Sequence, residues 1–310
     1  MSKSYQIYNR KTKGYETEKV AGEEAIRRIY HTALGRLGLE LLLKRKIYPF
    51  ILGKLHDFPF SARKIKGFAE EHGLDLSECL QEPQDFPNFN AFFARKLKPE
   101  ARKFAADPRL LVSPGDGKMR AWANIDIERV IQVKGFSYTL EELLGDRGLA
   151  RKYQGGVCLA LRLGLADYHR FHFIDSGRCT ASKGLKGCYY SVNPLALQAI
   201  PALFCRNKRA VSILRSANFR DIAYVEIGAA FVGSIVQIYR PDAIVARGEE
   251  KGYFKLGGST ILLFLEKGTA AVDEDILLQT EKGYEVKVLA GEAVGRQARK
   301  DREANLDEFL

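Results

Sequence analysis

The sequence predicts an α+β protein in which N-terminal amphipathic helices pack on a mostly antiparallel β domain, and three observations carry that prediction. Apolar residues recur at helical spacing before residue 50, the texture turns to short β-type runs punctuated by glycine after Pro99, and no low-complexity linker or fixed-period repeat separates the two regions. The division falls near residue 100, giving a helical region over 1–100 and a β-rich domain over 101–310.

The helical elements come first. From Glu23, the residues Ile26, Ile29, Tyr30, Ala33, Leu34, Leu37 and Leu41 share one stripe with Arg27, Arg28 and Arg36 between them, a basic amphipathic helix with a break near Gly35 and Gly38. A second apolar stretch, 41–43 and 47–52, flanks Lys44-Arg45-Lys46. The pair reads either as a helical hairpin packing on its own domain or as an interfacial, membrane-associating anchor. Ser61 is placed to cap a third helix through Glu71, and residues 86–97 (FPNFNAFFARKL) read as a short helix with an aromatic face. Expected strands are 156–163, 170–174, 210–214, 222–227, 230–239 and 260–265, with one helix, 139–144, after Gly135.

A chain of 310 residues with 46% hydrophobic side chains buries a sizeable core, which excludes disorder for most of its length. The net charge is +11, and residues 1–50 hold eleven Lys/Arg against five Glu, so +6 of the excess lies there. Such a bias suits nucleic acid or the anionic face of a bilayer, and composition does not choose between them. Cys79, Cys158, Cys179, Cys188 and Cys205 are odd in number and form no C-x-x-C pair, which points to reduced thiols in a cytosolic setting. The opening MSKSYQIYNRKTKGYE has no apolar signal-peptide core, and no stretch approaches the ~20 apolar residues of a spanning helix. Membrane contact is therefore expected from one side only.

Three segments can carry chemistry. In Ser113-Pro114-Gly115-Asp116-Gly117 a carboxylate sits in a tight turn, which turn chemistry alone also explains. Asp167-Tyr168-His169-Arg170-Phe171-His172 holds two of the five histidines three positions apart, a spacing that turns them to opposite faces of a strand and to different work. No cluster at metal-ligand spacing accompanies them, so no metal is expected. In Leu256-Gly257-Gly258-Ser259-Thr260 a Gly-Gly step before an apolar strand is commonly a turn or bulge. A serine after glycine has a further capacity, because without a Cβ on Gly258 the hydroxyl approaches the Gly258 carbonyl closely, favouring an N→O acyl shift. A base must take the hydroxyl proton, and a histidine oriented by a carboxylate is the usual device; Asp116, His172 and Ser259 supply that set.

Further segments accompany these: F-N-A-F-F-A-R-K-L-K-P at 89–99, K-G-F-S-Y-T-L-E-E-L-L-G at 134–145, S-V-N-P-L-A at 191–196, N-K-R-A-V at 207–211 and G-A-A-F-V-G-S-I at 228–235. The ordered set, from about Phe86 to Glu266, resembles the phosphatidylserine decarboxylase family. One departure is G-G-S-T where many relatives have L-G-S-T; Gly258-Ser259-Thr260 is intact.

The resemblance implies a self-processing proenzyme. Asp116 orients His172, His172 deprotonates Ser259 for attack on the Gly258 carbonyl, and Gly257 and Thr260 frame the cleaved bond. Elimination across Ser259 then leaves a large chain, 1–258, and a small chain, 259–310, of 52 residues that begins with a pyruvoyl group. That self-made cofactor stands in for pyridoxal phosphate, with no metal. It forms a Schiff base with phosphatidylserine and acts as electron sink while CO2 leaves, giving phosphatidylethanolamine. The resemblance nominates His169 to protonate the carbanion, with His172 contributing. It implies a carboxy-lyase of phospholipid biosynthesis, peripheral on the cytoplasmic side of the cell membrane. Its partners are phosphatidylserine, an anionic membrane surface and its own two chains as a heterodimer, dimerised further or not, and no nucleic acid. Residues 189–204 (YYSVNPLALQAIPALF) read either as a wall for acyl chains or as a core helix.

Two other classes use the same residues. A serine hydrolase with Asp116, His172 and Ser259 would run as one band near 34.8 kDa, although no G-x-S-x-G elbow surrounds the serine. A non-enzymatic basic lipid-binding protein would be indifferent to Ser259→Ala.

Overall fold

Ser259–Leu265 (STILLFL) is buried at every position in the computed structural model, which describes residues 5–18, 28–30, 32, 35, 38, 53–133, 136–229 and 235–298. A strand turns alternate side chains to opposite faces, so an unbroken apolar run needs cover on both. Ile261, Leu263 and Leu265 enter one core with Leu159, Leu161, Phe173 and Tyr224, while Leu262 and Phe264 enter another with Cys158, Val225, Ile227 and Phe204. Each buried Leu or Phe stabilises the fold by roughly 1.5–3 kcal/mol relative to exposure.

This strand lies inside an eleven-stranded sheet. The order is Ile244–Val245, Gly177–Cys179, Arg209–Ser216, Arg220–Gly228, Ser259–Leu265, Val157–Leu163, Gly117–Ala123, Glu285–Val288, Tyr5–Asn9 and Gly14–Glu18, with Lys183–Leu185 pairing onto Arg209–Ser216. Tyr5–Asn9 runs parallel to Glu285–Val288, and the other pairs are antiparallel. A three-stranded sheet, Ile235–Gln237, Glu250–Phe254 and Arg170–His172, packs against it and carries the histidine segment. The α+β, mostly antiparallel reading is what the structure has.

Several elements differ from expectation. Residues 5–18, assigned to the helical region, form a β-hairpin that extends the main sheet. Tyr and Thr favour strands, Asn9 Oδ1 accepts the Lys11 and Thr12 N–H groups to close the turn, and Lys13 takes a φ of 53° there. Ser61 caps no helix: Lys64–His72 starts after Arg63 without a side-chain cap. The Ser61 hydroxyl instead donates to the Phe58 carbonyl at 2.7 Å and accepts the buried Phe89 N–H at 2.9 Å, satisfying a donor that would otherwise be orphaned. The aromatic helix is the shorter Phe89–Phe93, capped by Asn88. Of the expected basic amphipathic helix and the stretch after it, most lies outside the described residues; 28–30, 35 and 38 are helical, and Tyr30 is buried with its hydroxyl accepting the Ser191 N–H. Residues 230–234 of the expected strand 230–239 also lie outside, and of its described residues Ile235–Gln237 are strand and 238–239 are not. Residues 189–204 contribute to the core, with Tyr190, Val192, Ala196, Leu197, Leu203 and Phe204 buried in it.

Candidate active site

Ser259 opens its strand opposite Gly228 on one neighbour and Leu163 on the other, and is 1% exposed. The turn that delivers it needs a glycine at 257 and is tight at 258. Gly257 has a φ of 142°, a region that side chains rarely enter, and a Cβ on Gly258 would stand 3.3 Å from Val192 Cγ2. Leu256, one residue earlier, packs into the cluster of Ile65, Phe86, Phe89, Phe92 and Phe93. The small aromatic core of residues 53–97 therefore anchors the loop that ends at the serine. Thr260, next along the strand, is buried and its hydroxyl has no partner.

His169 stands beside Ser259. Its Nδ1 lies 3.5 Å from Ser259 Oγ, long for a hydrogen bond, and its Nε2 lies 2.8 Å from the Gly164 carbonyl. A carbonyl only accepts, so Nε2 carries the proton and Nδ1 presents a lone pair to the hydroxyl. The turn Gly164-Leu165-Ala166-Asp167 sets this geometry: Asp167 accepts the Gly164 N–H at 2.6 Å and two contacts from Lys118 Nζ at 2.8 and 3.0 Å. Phe93 stacks on the imidazole with centroids 3.9 Å apart. Burial lowers the pKa of His169 from 6.5 to about 3, against the pull of Asp167, so the ring is neutral at physiological pH.

His172 is bound differently. Its backbone N–H donates to the Pro114 carbonyl at 2.8 Å, which joins the S-P-G-D-G and D-Y-H-R-F-H segments. Its Nδ1 lies 2.9 Å from the Gly248 carbonyl and its Nε2 is buried without a partner. Burial lowers its pKa as well. The Asp116 carboxylate is turned to Arg102, at 2.6–3.0 Å, and accepts the Ala290 N–H at 2.9 Å. Asp116 and His172 are thus neighbours through the backbone without a side-chain hydrogen bond between them. The structure brings His169, rather than His172, to the serine.

Sequence reasoning missed Arg102, Gly164, Lys118 and Gly248. Lys118 and Gly248 act through partners distant in sequence, and Arg102 and Gly164 through nearer ones that only the folded turns bring into contact, so no local pattern marks these pairings. Phe93 and Arg95 do lie in the segment F-N-A-F-F-A-R-K, but its spacing showed only an aromatic face. Among the described residues, no group of three or more His, Cys, Asp or Glu converges at metal distance, and no helix is long and apolar enough to cross a membrane.

Comparison with known proteins identifies the relatives of this chain. The family model described as phosphatidylserine decarboxylase matches residues 89–296, a span holding Asp116, both histidines and Ser259. The chain is 54% identical over 290 residues to a phosphatidylserine decarboxylase proenzyme of Ruminiclostridium cellulolyticum, covering 94% of this chain and 97% of that one. It is 50% identical over 291 residues to the proenzyme of Clostridium perfringens, covering 94% and 99%. For that of Clostridium tetani the figures are 48% over 291 residues, 94% and 98%. With a family match over most of its length and relatives this similar across nearly all of it, the chain belongs to the phosphatidylserine decarboxylase family.

Proposed function

We propose that this chain is a phosphatidylserine decarboxylase that makes its own pyruvoyl group by cutting the Gly258–Ser259 bond. One observation carries the reading: a buried serine hydroxyl follows two glycines and lies 3.5 Å from an unprotonated imidazole nitrogen, in a chain whose relatives are named proenzymes. His169 Nδ1 takes the proton as Ser259 Oγ attacks the Gly258 carbonyl, and the peptide C–N bond gives way to an ester. Loss of the Ser259 α-proton with the ester oxygen releases Gly258 as a carboxylate and leaves dehydroalanine. Its nitrogen departs as ammonia, replaced by oxygen from water, and residue 259 becomes the pyruvoyl end.

The residues present fit such a group. The side chain from which it derives is already shielded from solvent beside His169, on which Phe93 stacks. Once formed, the group supplies an electron sink for the bond to the departing carboxylate. His169 Nδ1, at the same place, is free to take up a proton released as the substrate amine adds to the ketone and to return it to the former α-carbon, and burial keeps bulk water from competing.

The expected base was His172 oriented by Asp116. The buried, unpartnered His172 Nε2 keeps that reading alive, though it requires Asp116 to leave Arg102 and the ring N–H to leave Gly248. Denaturing electrophoresis of two variants decides. If His169 is the base, His169→Ala stays at 34.8 kDa and His172→Ala is cut; the triad reading expects the reverse. The family chemistry itself fails if the unaltered chain stays whole and releases no CO2 from phosphatidylserine.

One-sided contact with an anionic bilayer is supported by Phe58 and Phe60, each 54% exposed and stacked at 6.0 Å, with Leu55 at 43%. Lys54, Arg63, Lys64 and Lys66 lie in the same segment, giving apolar groups to insert and cations to meet phosphates.

A further inference from the structure

Three arginines are buried among the described residues: Arg95, Arg162 and Arg209. Arg162 is paired with Glu18 and Glu285, and Arg209 donates to the carbonyls of Glu142, Leu143, Cys205 and Asn207. Arg95 has neither kind of support. At 7% exposure its Nη2 makes a long hydrogen bond to the Ala166 carbonyl at 3.4 Å and the guanidinium has a weak thiol partner in Cys79, while Nη1 is buried with no partner among the described residues. It has no ion pair among the described residues, and the Phe92 ring lies 5.0 Å away. A buried ion with so few acceptors is strongly disfavoured, and such groups persist where a metal, a partner or a ligand completes them.

The place of Arg95 says which. Ala166 belongs to the turn whose Gly164 carbonyl fixes His169, and Phe93, two residues before Arg95, stacks on that imidazole. The Arg95 charge is felt at His169 and in turn feels Asp116 and Asp167. An unfilled donor next to the reacting centre is a receptor for an oxyanion.

We propose that Arg95 binds a phosphodiester oxygen of the phospholipid headgroup, an assignment that rests on the decarboxylase reading. The headgroup offers a second oxyanion, the serine carboxylate. That carboxylate loses its charge as CO2 forms, so a guanidinium held on it would favour the ground state over the transition state and slow the reaction. The phosphodiester keeps its charge throughout, and gripping it positions the amine at residue 259 without raising the barrier.

The test uses the matured enzyme, Arg95→Lys and Arg95→Met, with dihexanoyl phosphatidylserine as substrate and dihexanoyl phosphatidylethanolamine, which keeps the phosphodiester and lacks the carboxylate, as competitive inhibitor. Loss of a charge-assisted, two-pronged contact is expected to raise KM and the inhibition constant together by roughly ten- to a hundred-fold in Arg95→Met, with less effect in Arg95→Lys and kcat nearly unchanged. Four results overturn the proposal: both constants within two-fold of the unaltered enzyme; KM raised while the inhibition constant stays, which assigns Arg95 to the carboxylate; kcat lost with both constants unmoved; or an Arg95→Lys chain that is insoluble, which makes the guanidinium a fold-keeping group. An unaltered enzyme that turns over no phosphatidylserine refutes the decarboxylase reading instead, and is told apart by that control.

Discussion

At the scale of single residues, the site is governed by what burial does to an imidazole. His169 is neutral because its only proton is committed to the Gly164 carbonyl and a second would be unsolvated, which takes its pKa to about 3. Above pH 6.5 the ring is neutral in the folded and the unfolded chain and stability does not depend on it. Below that, the unfolded chain binds a proton that the folded one refuses, so stability falls with pH by about 1.4 kcal/mol per unit toward pH 3. His172, shifted the same way by burial, adds to the slope. Urea midpoints of the uncleavable Ser259→Ala chain should therefore drop between pH 7 and pH 5, and His169→Gln in that background should flatten the drop. An equal slope in both chains would mean that His169 titrates normally. Self-cleavage follows the same logic: a base already unprotonated gives a cutting rate level from pH 8 to pH 5, whereas a base of ordinary pKa gives a rate that falls about ten-fold per unit below 6.5.

At the scale of elements, the relation between serine and histidines depends on how two sheets are tied. Glu250–Phe254 pairs with Arg170–His172 through a register shift between Glu250 and Gly252, which leaves Lys251 as the extra residue of a bulge. Its ammonium turns inward, fully buried, to Glu226 at 2.7 Å and Gln237 at 2.9 Å, with the Tyr239 ring centroid 4.8 Å away. Glu226 sits on Arg220–Gly228, the strand that pairs with the serine strand, so one ion pair ties the histidine sheet to the serine sheet. Lys251→Met should destabilise by about 3–5 kcal/mol in urea unfolding, because it strands a buried carboxylate, and adding Glu226→Leu should recover most of that. Failure to recover would show that the pair is worth more than its replacement packing. Little of this was legible beforehand. The strand 260–265 and its neighbours could be read because a continuous apolar run has few other solutions; Asp116, His172 and Ser259 were singled out as a base-and-carboxylate set for a serine and His169 through the family resemblance, but which histidine meets the hydroxyl was not legible. The hairpin of residues 5–18, the bulge at Lys251 and the Arg102–Asp116 pair could not be read, since each is decided by a partner that local periodicity does not see. The exposed pair Phe58 and Phe60 belongs to that class too: replacing both with Ser should lower sedimentation with anionic vesicles several-fold at unchanged thermal stability, and unchanged sedimentation would remove the segment from the membrane contact.

At the scale of the whole molecule, the proposed cut at Gly258–Ser259 raises the question of what would hold the fragments together. Of the last 52 residues, the described part, 259–298, is not an appendage. Ser259–Leu265 is paired along its full length on both sides, to Arg220–Gly228 and to Val157–Leu163. Farther on, Glu285–Val288 lies between Gly117–Ala123 and Tyr5–Asn9, and Ala293–Gln297 lies between Ala270–Val272 and Leu110–Val112. Arg10 adds ion pairs to Asp273, Asp275 and Glu292 from the hairpin. Removing the small chain would open the main sheet in two places and expose Ile261, Leu262, Leu263, Phe264 and Leu265 at once, roughly 7–15 kcal/mol of apolar burial on the scale of 1.5–3 per side chain. Cleavage is therefore expected to be silent at the level of the fold. Matured protein should elute from size exclusion at the same volume as the Ser259→Ala chain, show two bands only after denaturation, and lose both chains in one cooperative urea transition. A small chain that washes away in native buffer would contradict the sheet order, because no strand bonded on both edges leaves while its neighbours stay.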